Sequence, residues 1–375
     1  MAKLSDFCKI NMGQSPDSSS YNENGEGMPF FQGNADFGEL HPKVRVWCND
    51  PTKIAYPNDI LISVRAPIGA LNIADVKCCI GRGLASLTAD ADMCYQKYLW
   101  YALESKVDEL NSKGTGSTFK AISKSVLFDT EIPLPSLGVQ KEISDIFDRT
   151  TALITARKEQ LKKLDELVKS QFIELFGSIH DNKFGYEIKA LQDVCEQIKD
   201  GTHQTPTYTD DSVNGYKFLS SKDVTTGKID WTHLKYIPEE LHNELYARIA
   251  PRKGDILLAK NGTTGIAAIV DRDEIFDIYV SLALLRPIEI NSVYLWAAIN
   301  SVETKQQFDS SLKGIGVPNL HLGEIKKAKI IVPPKEEQEQ FAAFVEQTDK
   351  SKLAIQESLA ELETLKKALM QKYFG

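Results

Sequence analysis

Arg65, Lys113, Lys120 and Lys124 early in the chain, and Lys217, Lys222, Lys260 and Lys313 further on, fall on or beside expected loops and strand ends. Cations placed there can neutralise phosphates, and either type can also take the O6 and N7 acceptors of guanine. Near them stand Gln32, Asn34, His203, Gln204 and Asn261. The four amides carry a donor and an acceptor side by side, the complement of adenine N6 and N7. As single residues all of these also read as ordinary solvated side chains. The Gly114–Thr118 stretch is small and polar like a phosphate cradle but lacks the G-x-x-x-x-G-K-[ST] spacing. Asp255 and Lys260 have no second carboxylate nearby for a metal nuclease, and the histidines show no paired metal spacing. No Asn/Asp-Pro-Pro-aromatic motif for methylating a base is present. The expectation is a non-catalytic chain that binds no cofactor and no metal.

The elements that must hold these residues occur twice. NDILISVRAPIG, residues 58–69, is answered by GDILLAKNGTTG, residues 254–265, and Tyr98-Leu99-Trp100 by Tyr294-Leu295-Trp296. Leu4, Asp6 and Cys8 are answered by Leu191, Asp193 and Cys195, and Lys113-Gly114-Gly116 by Lys313-Gly314-Gly316. The short apolar runs between Gly, Pro and Asn-Asp turns read as strands, and the Tyr-Leu-Trp segments as core helix. The copies differ most between Gly13 and Asp59 and between Gly201 and Asp255. Two similar scaffolds with dissimilar loops imply two different binding surfaces.

Each copy ends in a β-favouring run, a proline stop and a long charged segment free of internal Pro or Gly, with Gln140 answering Gln338 and Phe176-Gly177 answering Phe374-Gly375. Phe147, Ile154, Leu161, Val168 and Leu175 recur at heptad spacing with Leu164 beside them, and Ile355, Leu359, Leu362, Leu369 and Tyr373 do similar work in the second copy. Such narrow stripes suit a two-helix seam better than a globular core. The expected fold is α+β. Two β-rich domains, 1–136 and 178–334, alternate with two long helices, 137–177 and 335–375, that pair as an antiparallel coiled coil in a pseudo-twofold repeat.

The net charge of −8 and the absence of a basic segment mean that no global field steers the chain onto DNA. Local patches or a basic partner must supply phosphate contacts. No apolar run is long enough to span a membrane, the N-terminus lacks the form of a signal peptide, and the six cysteines contain no C-x-x-C pair, so a cytoplasmic protein with reduced thiols is expected.

The domain–helix–domain–helix order, the two DIL segments and the IPLPSLGVQKEI and IIVPPKEEQEQF entries to the helices resemble the specificity subunit of type I DNA restriction-modification systems. The resemblance covers essentially the whole chain. It implies two target-recognition domains, each reading half of a split site in double-stranded DNA. It also implies two modification subunits that methylate adenine with S-adenosylmethionine, and restriction motor-nuclease subunits using ATP and magnesium that can join them. A rival reading from the residues alone is a protein-interaction scaffold with two β-rich binding domains on a coiled-coil rod, which the acidic charge favours.

Overall fold

The computed structural model describes residues 1–116, 120–210, 212–312 and 318–375. The chain divides into two compact units, residues 1–158 with 356–375, and residues 159–355. Each therefore contains part of both long helices.

In the first unit a four-stranded antiparallel sheet has the order Cys8–Met12, Leu84–Ala89, Ile60–Ser63, Leu71–Ile73. Ile60–Ser63 reads ILIS with no polar alternation because both faces are covered. Ile60 and Ile62 face a core with Tyr98, Leu99, Leu103, Phe147 and Phe374, while Leu61 faces Phe31, Ala55 and Ile80. The first core is built on helices. The second belongs to a five-stranded sheet in the order Tyr21–Asn22, Val46–Cys48, Met28–Phe31, Cys78–Ile80, Ile54–Ala55.

The second unit repeats the framework. Its four-stranded sheet runs Cys195–Asp200, Leu282–Pro287, Ile256–Ala259, Ala267–Ile269. Ile256 and Leu258 face Tyr294, Leu295, Phe176 and Phe341, and Leu257 and Ala259 face Leu219, Phe276 and Ile278. The outer layer differs. It is a three-stranded sheet of Lys235–Ile237, Tyr216–Leu219 and Phe276–Ile278 with a helix over Glu239–Arg248. The outer layers thus draw on the segments in which the two copies diverge.

The long helices span Leu137–Phe176 and Lys335–Phe374, matched positions in the repeat. Within the first unit Phe147 stacks on Phe374, and Lys158 pairs with Glu363. Within the second, Phe172 meets Phe341, and Asp165 pairs with Lys352. In both, one helix descends in number as the other ascends, so the pairing is antiparallel. Phe147, Ile154 and Val168 are buried; Leu161, Leu164, Leu175, Ile355, Leu359, Leu362, Leu369 and Tyr373 are half-buried.

Two polar devices fasten each helix start to its domain. Gln140 accepts from Tyr95 N at 2.8 Å and donates to the Pro135 and Met93 carbonyls; Gln338 accepts from Asn291 N at 2.9 Å and donates to the Pro333 carbonyl. Tyr98 Oη donates to Pro133 O at 2.8 Å, and Tyr294 Oη to Ile331 O at 2.5 Å. Burial of these groups is tolerable because they are paired; each one orphaned would cost about 1–3 kcal/mol. All six cysteines are free and buried, and no described helix is long and apolar enough to cross a membrane.

Candidate nucleic-acid interface

In the first unit a cleft of about 640 Å³ gathers Gln32, Asn34, Arg45 and Arg65 at the junction of the two sheets. Gln32 follows the strand Met28–Phe31, and the short 3-10 turn Asn34–Asp36 comes next. Asp36 fixes that turn by accepting from Gln32 N at 2.7 Å and Gly33 N at 3.3 Å. Its other oxygen takes the Arg45 guanidinium, which also donates to Ala35 O at 3.0 Å. A side chain at Gly83 would collide with the Gln32 carbonyl, so the opposite wall comes close only because that position has no Cβ.

Arg65 follows the central strand Ile60–Ser63. Its carbonyl accepts from Ser63 Oγ at 2.7 Å, and it bridges to Ala121, whose neighbour Lys120 accepts from Ala66 N at 3.0 Å. This places Lys120 beside Arg65. Both are exposed and without an acidic partner among the described residues. The two other expected cations lie elsewhere. Lys113 is paired with Glu109 at 2.6 Å, and that contact holds the Glu109 carboxyl below its usual range despite partial burial. Lys124 sits over the Phe128 ring at 4.7 Å.

In the second unit the corresponding edge is organised by Asp200, at the end of Cys195–Asp200. Asp200 Oδ2 lies 2.9 Å from Lys260 Nζ and 3.1 Å from His203 Nε2. Burial pushes the Asp200 carboxyl up, but the Lys260 ammonium and the hydrogen bond from His203 more than offset this and hold it below the ordinary value. Arg248 donates to the carbonyls of Asp200 and Gly201. His203 and Gln204 remain exposed, as does Lys222 on the turn Ser221–Val224.

The expectation that Lys260 is an open phosphate contact is corrected: it is 6% exposed and its ammonium is used by Asp200. Lys217 is half-buried and paired with Glu274 at 2.5 Å, so its charge is already met. Asn261 is half-buried and bridged to Asn319, with both side-chain carbonyl oxygens lacking a partner among the described residues. Lys313, Gly314 and Gly316 lie outside the described residues, as do Ser117 and Thr118 of the small polar stretch. The sequence reading missed Arg45 and Arg248. Arg45 directly precedes the strand Val46–Cys48, and nothing local in the sequence ties it to Asp36. Tyr208 was missed too: its ring is 42% exposed, with Lys235 Nζ 3.9 Å above it. These edges offer amides, guanidinium groups and an aromatic face, the chemistry of phosphate holding and base-edge reading. Among the described residues no group of three or more His, Cys, Asp or Glu is arranged to hold a metal ion.

A family model for the type I restriction modification DNA specificity domain matches the chain twice, over residues 1–165 and 184–365. The putative type I restriction enzyme MjaX specificity subunit of Methanocaldococcus jannaschii is 42% identical over 163 residues, covering 44% of this chain and 38% of that one. The type I restriction enzyme EcoBI specificity subunit of Escherichia coli is 24% identical over 348 residues, covering 85% of this chain and 73% of that one. The chain thus spans well under half of the first relative's length and about three quarters of the second's. The crystal structure of a type I restriction-modification system S subunit from M. genitalium covers 100% of this chain and 95% of its own, with a TM-score of 0.57 at 16% identity, a likeness of fold.

Proposed function

Because this chain belongs to the type I restriction-modification DNA specificity family, we propose that it is the non-catalytic subunit that recognises a bipartite duplex site, one half by each compact unit. The observation that carries this reading is the pairing of a shared framework with unlike outer layers, five-stranded in one unit and three-stranded with a helix in the other. A repeat meant to bind one ligand twice would keep its outer layers alike. The unit edges supply Gln32, Asn34, Arg45 and Arg65 in one case and His203, Gln204 and Lys222 in the other.

In this role the long helices hold two modification methyltransferase subunits, to which restriction motor-nuclease subunits can add. S-adenosylmethionine is then bound by the modification subunit and ATP with magnesium by the restriction subunit, while this chain contributes position. Leu167 and Leu365 support two copies of the partner: they occupy matched places in the repeat and are 45% and 49% exposed. Aliphatic groups exposed at matched places on both helices suit two equivalent docking faces.

The test replaces residues 1–130 by the equivalent domain of a relative and maps methylated adenines made by the assembled complex. One half of the site should change and the other should stay. A change in both halves contradicts independent readers. The net charge of −8 favours the rival protein-binding scaffold; that reading gains if selection from randomised duplexes enriches no sequence at all.

A further inference from the structure

The two frameworks differ at one internal place where the repeat itself supplies the comparison. In the first unit Met12 pairs with Ala85 and Ser63 with Leu84; in the second Asp200 pairs with Ala283 and Ala259 with Leu282. By this register Asp200 stands where Met12 stands, and Lys260 where Val64 stands. An apolar pair in one copy is an ion pair in the other, with Val64 and Lys260 both buried. Removing two charges from water costs about what their attraction returns, so well-packed apolar residues at such a place are no less stabilising. The framework closes without the ion pair, as the first unit demonstrates.

What the ion pair adds is control of the segment that leaves the strand. Asp200 Oδ2 takes both Lys260 Nζ and His203 Nε2. Arg248 donates to the carbonyls of Asp200 and Gly201, and Lys199 Nζ reaches the Arg248 carbonyl at 3.4 Å. Thr202 N donates to Ile278 O at 3.1 Å and Thr202 O accepts from Val280 N at 2.9 Å. A Cβ at Gly201 would collide with Ile278 O, so the segment lies tight on the outer sheet. Residues 200–202 are thus held from both sides, and the next two, His203 and Gln204, are exposed.

We propose that Asp200, Lys260 and Arg248 form a positioning clamp that presents His203 and Gln204 as base-reading residues of the second half-site. This rests on the reading above that the second unit recognises duplex DNA. Lys260 is a positioning residue in this scheme and touches no phosphate. The Gln204 amide has the donor and acceptor geometry for adenine N6 and N7. The neutral His203 ring, donating Nε2–H to Asp200, keeps Nδ1 as an acceptor for an exocyclic amino group.

The experiment selects from a randomised duplex library with the full chain assembled with its modification subunit, and reads base preference at each half-site separately. The key variant is Asp200→Met with Lys260→Val, which installs the first unit's own apolar pair. It should keep the wild-type urea midpoint and the first half-site, while preference within the second half-site falls roughly tenfold. Gln204→Ala and His203→Ala, at exposed positions that leave the core intact, should each relax a subset of the positions relaxed by the double variant. A merely structural role would move the midpoint and leave base preference alone. Wild-type preference at the second half-site in the double variant overturns the clamp. If that variant does not fold, unchanged preference in both single variants overturns the proposal. If the wild-type complex enriches no sequence in either half, the DNA reading itself fails and takes the clamp with it, whereas loss confined to the variants' second half-site supports both.

Discussion

His242 Nδ1 lies 2.7 Å from Asp277 Oδ2 in the outer layer of the second unit, under the Tyr216 ring at a centroid distance of 3.7 Å. Burial pushes the Asp277 carboxyl up to about 6, against the pull of His242 in the other direction. The folded chain therefore keeps a proton that the unfolded chain loses near the ordinary value of 3.8. The resulting stability is fully present below the unfolded value and is lost as pH rises through about 6. Asp277→Asn fixes the group neutral and should remove this slope. Urea midpoints of the full chain and the variant, compared from about pH 4 to about pH 7, should diverge with the wild type falling relative to the variant. Parallel curves would show that Asp277 titrates like an exposed carboxyl. Lys260 carries a related lesson, since a buried cation is informative about its partner before it is informative about a ligand.

At the scale of the element, each long helix carries apolar residues of two kinds. Leu359 and Leu362 are half-buried in the seam, whereas Leu167 and Leu365 are close to half exposed. Leu359→Asp with Leu362→Asp should destabilise the pair by several kcal/mol, because the charges would be drawn out of water without partners. Leu167→Asp with Leu365→Asp should leave stability within about 0.5 kcal/mol, as exposed substitutions generally do. Yet the double exposed variant should lose co-purified modification subunit, and each single variant should lose about half. Wild-type stoichiometry in the double variant would mean that the partners dock elsewhere.

At the scale of the whole molecule, the proposed reading of a bipartite site gives the long helices the role of a ruler. The boundary between the compact units falls at Lys158/Glu159 and again at Ile355/Gln356. A heptad inserted after Glu159 and another after Glu357 keeps every apolar position on its seam. Seven residues add about 10 Å, or about 3 base pairs of duplex. The half-sites should be unchanged and the gap between them lengthened. Affinity should fall, because about 3 base pairs also rotate the groove by about 100°. Methylation mapped on a library of varied gaps decides the point, and an assembled, active variant that keeps the original gap would show that the helices do not set it.

The repeat, the central strands and both long helices were legible in the sequence, because each rests on a local pattern: heptad spacing, a short apolar run between turns, a proline at the helix entry. The gathering of Gln32, Asn34 and Arg65 into one cleft was half legible, through their types and their places beside strand ends. What only the tertiary structure decided is which charges are free. Arg45 meets Asp36, Lys217 meets Glu274, and Lys260 meets Asp200 across stretches of chain that no periodicity relates. A sequence pattern reports how often a side chain returns to the same face of its own element. The partner of a charge depends on how two elements are placed across the fold, and that is fixed by the register of the sheet and the close approach at positions such as Gly83 and Gly201.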